Sequence, residues 1–224
     1  MADSLTSGGG GGPGPRMLAL GAPGFAAIVH GPGGAELGAV AAEDALPKAL
    51  RRRMSPFDLG AARCVMGLAA QGVSEDIVFA SRYGNMGVTL DLLMLLCRDE
   101  ILSPAKFSMS VHNAAAGAIS QIVSNRAGHT AIAAGARTLA AGLTEAWSRI
   151  ASGAGSVIFI YADMPLMDPY GEFDEPGPGV HLAIRLAAAD AAAGDMHAVA
   201  EGRLGAEALA RALAAGVKGL TWRP

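Results

Sequence analysis

Apolar positions recur along this chain in two periods, and the change from one to the other predicts its elements. The run "MLALGAPGFAAIVHG" (17–31) reads as a strand, broken at Gly21–Gly24. Over 55–72 the residues Phe57, Ala61, Cys64, Val65 and Leu68 return at helical spacing. Ser55 stands there as N-cap, Pro56 at the first helical position, and Gly72 closes the segment. "DIVFAS" (76–81) is a short strand of the buried type, and 85–100 is a second helix, apolar on most faces. After the break at Ser103–Pro104, 111–125 reads as a third helix, rich in small residues. A strand at 129–135, a helix at 137–152 and a strand at 156–161 follow. "GVHLAIRLAAA" (179–189) keeps period two for part of its length and reads as a final strand, suited to a sheet edge. An amphipathic helix at 206–215 comes last.

Strands alternating with helices, without a linker in the middle, predict one α/β domain over 17–224 with at least part of its sheet parallel. Residues 1–16, "MADSLTSGGGGGPGPR", are almost free of apolar side chains. They cannot offset their ordering entropy and are expected to form a disordered tail.

Composition narrows the function classes. With 224 residues, 51% of them hydrophobic, the chain can bury a sizeable core. A net charge of −3, with no basic stripe interleaved with aromatics, argues against nucleic acid as a partner. The longest apolar candidate, "LLMLLC" (92–97), stops at Arg98, far short of the ~20 residues of a membrane span. No basic-then-apolar leader opens the sequence, so the cytoplasm is the expected compartment. Cys64 and Cys97 lie in apolar helical runs without metal-ligand spacing and read as free core thiols. "HGPGGAELG" (30–38) places Glu36 where a dinucleotide loop needs its third glycine, and reads as a turn. Asp163, Asp168, Glu172, Asp174 and Glu175 fit no calcium loop and read as a solvated acidic loop; no metal and no cofactor is expected.

Four motifs keep a fixed order: "SVHNAAAG" (110–117), "TAIAAGARTLAAG" (130–142), "GSVIFIYAD" (155–163) and, ahead of them, "RRRMSP" (51–56). In order and spacing they resemble the N-terminal half of ketosynthases, in the thiolase-like superfamily. With "YADMPL" (161–166) they resemble the chain-length-factor proteins of aryl-polyene-type synthases. The resemblance implies a layered thiolase-like half-fold, a mixed sheet flanked by helices. It also implies a strand ending in a sharp turn that carries a nucleophilic cysteine at a helix N-terminus. That position falls on Ala136. A methyl group cannot attack a thioester; acyl transfer needs a thiolate, which a helix N-terminus helps to form. The histidines of the condensing enzymes belong to the fold's second half, and neither His181 nor His197 stands in a matching motif.

The resemblance therefore implies a subunit without catalysis of its own. It would pair with an active beta-ketoacyl synthase, shape its acyl tunnel in polyene, polyketide or fatty-acid-like biosynthesis, and meet an acyl carrier protein. By the same resemblance Val111, His112, Asn113, Ala114 and Ala115 line the tunnel. Thr130, Ala131, Ile132, Ala133 and Ala134 form the interface strand, and Arg51, Arg52 and Arg53 are candidates for carrier docking.

Plainer readings stand beside these. His112 also reads as a satisfied polar residue at a helix start, Asn113 as the anchor of that helix, and the arginines as solvated charge. Arg137 faces either a partner's acidic group or water. A second function is open: a thioester hydrolase or decarboxylase using His112 with Ser108, Ser110 or Thr138. It requires a base–nucleophile pair within hydrogen-bond reach.

Overall fold

The computed structural model describes residues 18–69, 72–189, 196–198 and 200–222, so the tail assigned to 1–16 lies outside the described residues. Its centre is an eight-stranded mixed sheet in the order β4–β3–β5–β6–β1–β8–β7, with β2 also pairing β1. β3 (Asp76–Ala80), β4 (His129–Ile132) and β5 (Ser156–Asp163) run parallel, because helices carry the chain back between them. β6 (Val180–Ala188) turns antiparallel between β5 and β1 (Leu18–Val29). β1 pairs β2 (Ala35–Gly38) at one end and β8 (Gly219–Trp222) at the other, and β8 pairs β7 (Met196–Ala198). The register of β1 against β6 shifts between Gly21 and Gly24, where the sequence suggests a break.

Helices cover both faces. α1 (Lys48–Arg51) is a single turn leading to α2 (Pro56–Leu68). α2 and α5 (Ala114–Ile122) set Ala61, Val65 and Ile119 against Ile77, Phe79, Ile158 and Ile160. α6 (Thr138–Ala151) and α7 (Gly202–Ala214) set Leu139, Leu143, Leu209 and Leu213 against Val157, Phe159, Leu182 and Ile184. At Gly142 a Cβ would lie 2.7 Å from Ala80 Cβ and Phe159 Cε2, so glycine lets α6 settle onto the strands. α6 and α7 carry ion pairs one turn apart, Arg149–Glu145 at 2.8 Å and Arg211–Glu207 at 2.7 Å, and Arg149 also reaches Asp76 of β3 at 2.6 Å. α3 (Met86–Cys97) and α4 (Pro104–Ser108) follow β3 with little of their surface buried, and no helix of the described residues is long and apolar enough to cross a membrane.

Several expectations change. The 179–189 strand is neither final nor at an edge; it is central. Its polar residues imitate a solvent-facing alternation, yet His181 is buried against His30, and Arg185 reaches Glu75 at 2.6 Å. The helix expected over 111–125 begins only at Ala114. Of the two thiols read as core, Cys64 is buried and Cys97 exposed. On α3 only Leu92 is buried.

Candidate functional site

β4 ends at Ile132, and the chain turns through exposed residues 133–137 into α6. Gly135 takes φ +58°, a left-handed conformation suited to glycine. Thr138 then locks the turn: its Oγ1 accepts from Ala134 N at 3.0 Å and donates to Gly135 O at 2.7 Å. Ala136 lies inside this strand–turn–helix, in a short 3₁₀ turn, presenting only a methyl group.

The hydroxyls named for a hydrolase are engaged elsewhere. Thr138 is buried in the turn it closes, while Ser108 and Ser110 donate to Ala105 O and Phe107 O at 2.8 Å each. His112 Nε2 lies 2.7 Å from Ser81 O; a carbonyl only accepts, so the ring donates there. The ring also stands edge-on to Phe79, and a Cβ at Gly84 would lie 3.1 Å from its Cδ2. His112 is thus the satisfied residue of the plainer reading. Asn113 occupies the N-cap of α5 but makes no side-chain capping bond, so it does not anchor that helix.

The residues expected along the tunnel divide. Val111 and Asn113 are exposed, Ala115 turns into the core, and Ala114 joins Leu50, Arg53, Met54 and Gln121 around a cavity of about 220 Å³. Arg51 donates to Glu43 O at 3.2 Å, while Arg52 and Arg53 are exposed. Among the described strands β4 pairs only with β3, and it stands at the sheet edge. Thr130 Oγ1 accepts from Arg149 Nη2 at 2.6 Å, and Ala133 and Ala134 belong to the turn rather than the strand.

Sequence reasoning missed a buried polar network beside this turn. Asp163 Oδ1 accepts from Ser81 Oγ at 3.0 Å and Arg82 N at 2.9 Å, and Oδ2 accepts from Tyr161 OH at 2.7 Å. Burial pushes the Asp163 carboxyl up, against the hydrogen bonds it accepts. Arg203, 1% exposed, forks onto Asp174 at 2.6 and 2.9 Å and also donates to Glu175 O. Burial opposes ionisation of Asp174, but Arg203 holds its carboxyl below the usual value. Arg82 pairs with Glu175 at 2.9 Å. Asp163, Asp174 and Glu175 are therefore not a solvated acidic loop; they fasten the segment after β5 to the end of β3 and the start of α7. Asp168 and Glu172 alone of that set are exposed. The available signal was Asp163 closing an uninterrupted apolar strand.

The second missed feature is apolar. Leu93, Met94, Leu96, Ile101, Phe107 and Val111 are 42–97% exposed, along α3, α4 and the turn into α5. The opposing segment after β5 adds Met167 and Phe173. A shared pocket of Leu93 and Met94 with Asp168, Pro169 and Tyr170 joins the two stretches. Such concentration of large apolar side chains marks an interaction surface.

Comparison with known proteins agrees with this geometry. Residues 32–219 match the family model described as beta-ketoacyl synthase, N-terminal domain. Among solved structures, a chain of the ketosynthase ApeO in complex with its chain length factor ApeC, from Xenorhabdus doucetiae, superposes with TM-score 0.67 at 24% identity, covering 78% of this chain and 81% of that one. The ishigamide ketosynthase/chain length factor gives TM-score 0.57 at 14% identity, covering 78% and 63%. The complex AntDE:AntF, a type II acyl-carrier protein with its ketosynthase bound to the hexaketide, gives 0.57 at 13%, covering 77% and 64%. This chain thus spans less than two thirds of the latter two. No curated protein matches. At these identities the structures speak for the fold, a thiolase-like mixed sheet between helices. The family model covers most of the sequence, and the chain belongs to the beta-ketoacyl synthase N-terminal domain family.

Proposed function

We propose that this chain is a non-catalytic, chain-length-factor-like subunit that pairs with an active beta-ketoacyl synthase and shapes its acyl tunnel. The product would be a polyene, polyketide or fatty-acid-like chain delivered by an acyl carrier protein. The observation that carries the reading is the apolar surface of α3, α4 and Val111, on a chain whose nucleophile turn holds Ala136. Eight of the nine large hydrophobics exposed among the described residues lie on 93–111 or 167–173, Leu204 being the other. Burying them against a partner draws on about 25 cal/mol per Å² of apolar surface. β4 offers unpaired backbone groups at the sheet edge, and pairing across a two-fold axis would extend the sheet into the partner. The likeness to chains from ketosynthase–chain length factor complexes supports the choice of partner.

Co-expression with the ketosynthase encoded nearby, followed by light scattering, tests this. The expected result is a one-to-one complex that condenses acyl units, losing activity when the partner's cysteine is replaced. Replacing Leu93 and Leu96 together by Asp should weaken that complex by at least about tenfold while this chain stays folded, since each charge sits where apolar contact is needed. A chain that stays monomeric beside that ketosynthase would overturn the proposal.

A further inference from the structure

Hydrogen bonds from separate stretches of the chain converge on the turn between β3 and α3, residues 81–84. Asp163, at the end of β5, holds both the buried Ser81 hydroxyl and Arg82 N, and Gly84 N donates to Ser81 Oγ at 2.9 Å. The turn is thereby fastened to a strand that is paired on both sides. Ser81 N donates to Ile132 O at 3.1 Å, which ties in the end of the edge strand β4.

The pieces of the apolar surface are attached to this turn. α3 follows it directly, with Asn85 as N-cap. The turn that carries Val111 into α5 is tied through His112 Nε2 to Ser81 O at 2.7 Å. The segment after β5 is tied twice: Tyr83 OH donates to Phe173 O at 3.1 Å, and Arg82 Nη1 to Glu175 Oε2 at 2.9 Å. Gly84 takes φ +63°, and a Cβ on it would lie 3.1 Å from His112 Cδ2, so glycine leaves the ring its seat. The Arg82 guanidinium lies 4.8 Å from the centroid of the Tyr83 ring and steadies both side chains that reach that segment. Holding and contacting thus fall to different residues: the ties are polar, and the exposed side chains they place are apolar. Ordering of loops opposes association, and segments placed beforehand lose less freedom when a partner arrives.

We propose that His112 and Tyr83 are positioning residues for partner binding: through the 81–84 turn they hold the separate apolar stretches in the one arrangement a ketosynthase subunit meets. The inference rests on the pairing proposed above, and it gives His112 a task that is neither catalysis nor the lining of a tunnel.

Interferometry of the full chain against the ketosynthase encoded nearby, with hydrogen exchange of the chain alone, tests this. His112→Phe keeps a ring beside Phe79 but has no donor, and Tyr83→Phe loses only its hydroxyl. Each should weaken binding by about fivefold, the worth of one ordinary hydrogen bond. In the free chain, exchange should quicken within 108–113 for the first and within 170–175 for the second. His112→Gln, whose amide donates to Ser81 O in place of the ring, should restore binding. Leu213→Ala, which loosens the core under the far end of α7, should lower stability and leave affinity as it is. A wild type that binds while both variants bind equally well, unchanged exchange in both, or an equal loss in Leu213→Ala would overturn this inference alone. A wild type that does not bind would remove the pairing, and this inference with it.

Discussion

His181 Nδ1 lies 2.8 Å from His30 Nε2, and the two rings meet edge to face with centroids 5.0 Å apart. His181 Nε2 has no partner. Burial first, and the neighbouring His30 second, hold the His181 ring down to about 3, far below its ordinary 6.5. Burial and Arg63 also lower His30.

Acid should therefore destabilise the fold earlier than carboxylates alone would. The unfolded chain takes up a proton near 6.5 that folded His181 refuses until about 3. Stability is full above that upper value and falls with decreasing pH, by at most about 1.4 kcal/mol per pH unit for this group. Asp58 and Asp163, raised by burial, act in the opposite sense just above 3.8, since they hold protons in the folded state that the unfolded chain releases. Urea unfolding of the wild type and of His181→Phe between neutral and mildly acid pH checks this. The variant should lose most of the slope, and an unchanged slope would exclude His181 as its source.

Gly60 of α2 presses against the same ring. A Cβ there would lie 2.5 Å from His181 Cε1 and Nδ1, with no free rotation to relieve it. Gly60→Ala should cost about 1–3 kcal/mol, the usual range for overpacking. A melting temperature equal to that of wild type would mean that α2 shifts outward freely.

Removing Arg203 should be among the most damaging single changes. Asp174 would lose its ion-pair partner and the Glu175 carbonyl a donor, at about 3–5 kcal/mol for a broken buried pair. Arg203→Lys should recover little, because an ammonium cannot reproduce the forked contact with both Asp174 oxygens. Chemical denaturation of both variants gives the comparison.

The two thiols should behave oppositely toward a maleimide. Cys97 is exposed, whereas Cys64 is buried, and burial pushes its thiol up to about 12. Mass spectrometry of the native protein should find one label, on Cys97. In a Cys97→Ser background, Ala136→Cys should restore a labelled site, since the turn around 136 is exposed. That thiol alone should not confer condensing activity, since acyl transfer also needs a base within reach of the nucleophile.

Local signals determined much of this. Ser55, Pro56 and the 57–68 periodicity identified α2 because capping and helical spacing are properties of neighbouring residues. The apolar runs of β3 and β5 marked strands, and that of β3 a buried one. Tertiary structure decided what depends on distant partners. Polar residues in 179–189 looked solvent-facing until the fold supplied His30 to His181 and Glu75 to Arg185, turning an apparent edge strand into a central one. The acidic residues after β5 looked solvated because Arg82 lies some eighty positions upstream of Asp163, and Arg203 nearly thirty downstream of Asp174. The apolar residues of α3 gave no sign of which would stay exposed, since periodicity records that a side chain is apolar but not whether this chain or a partner buries it.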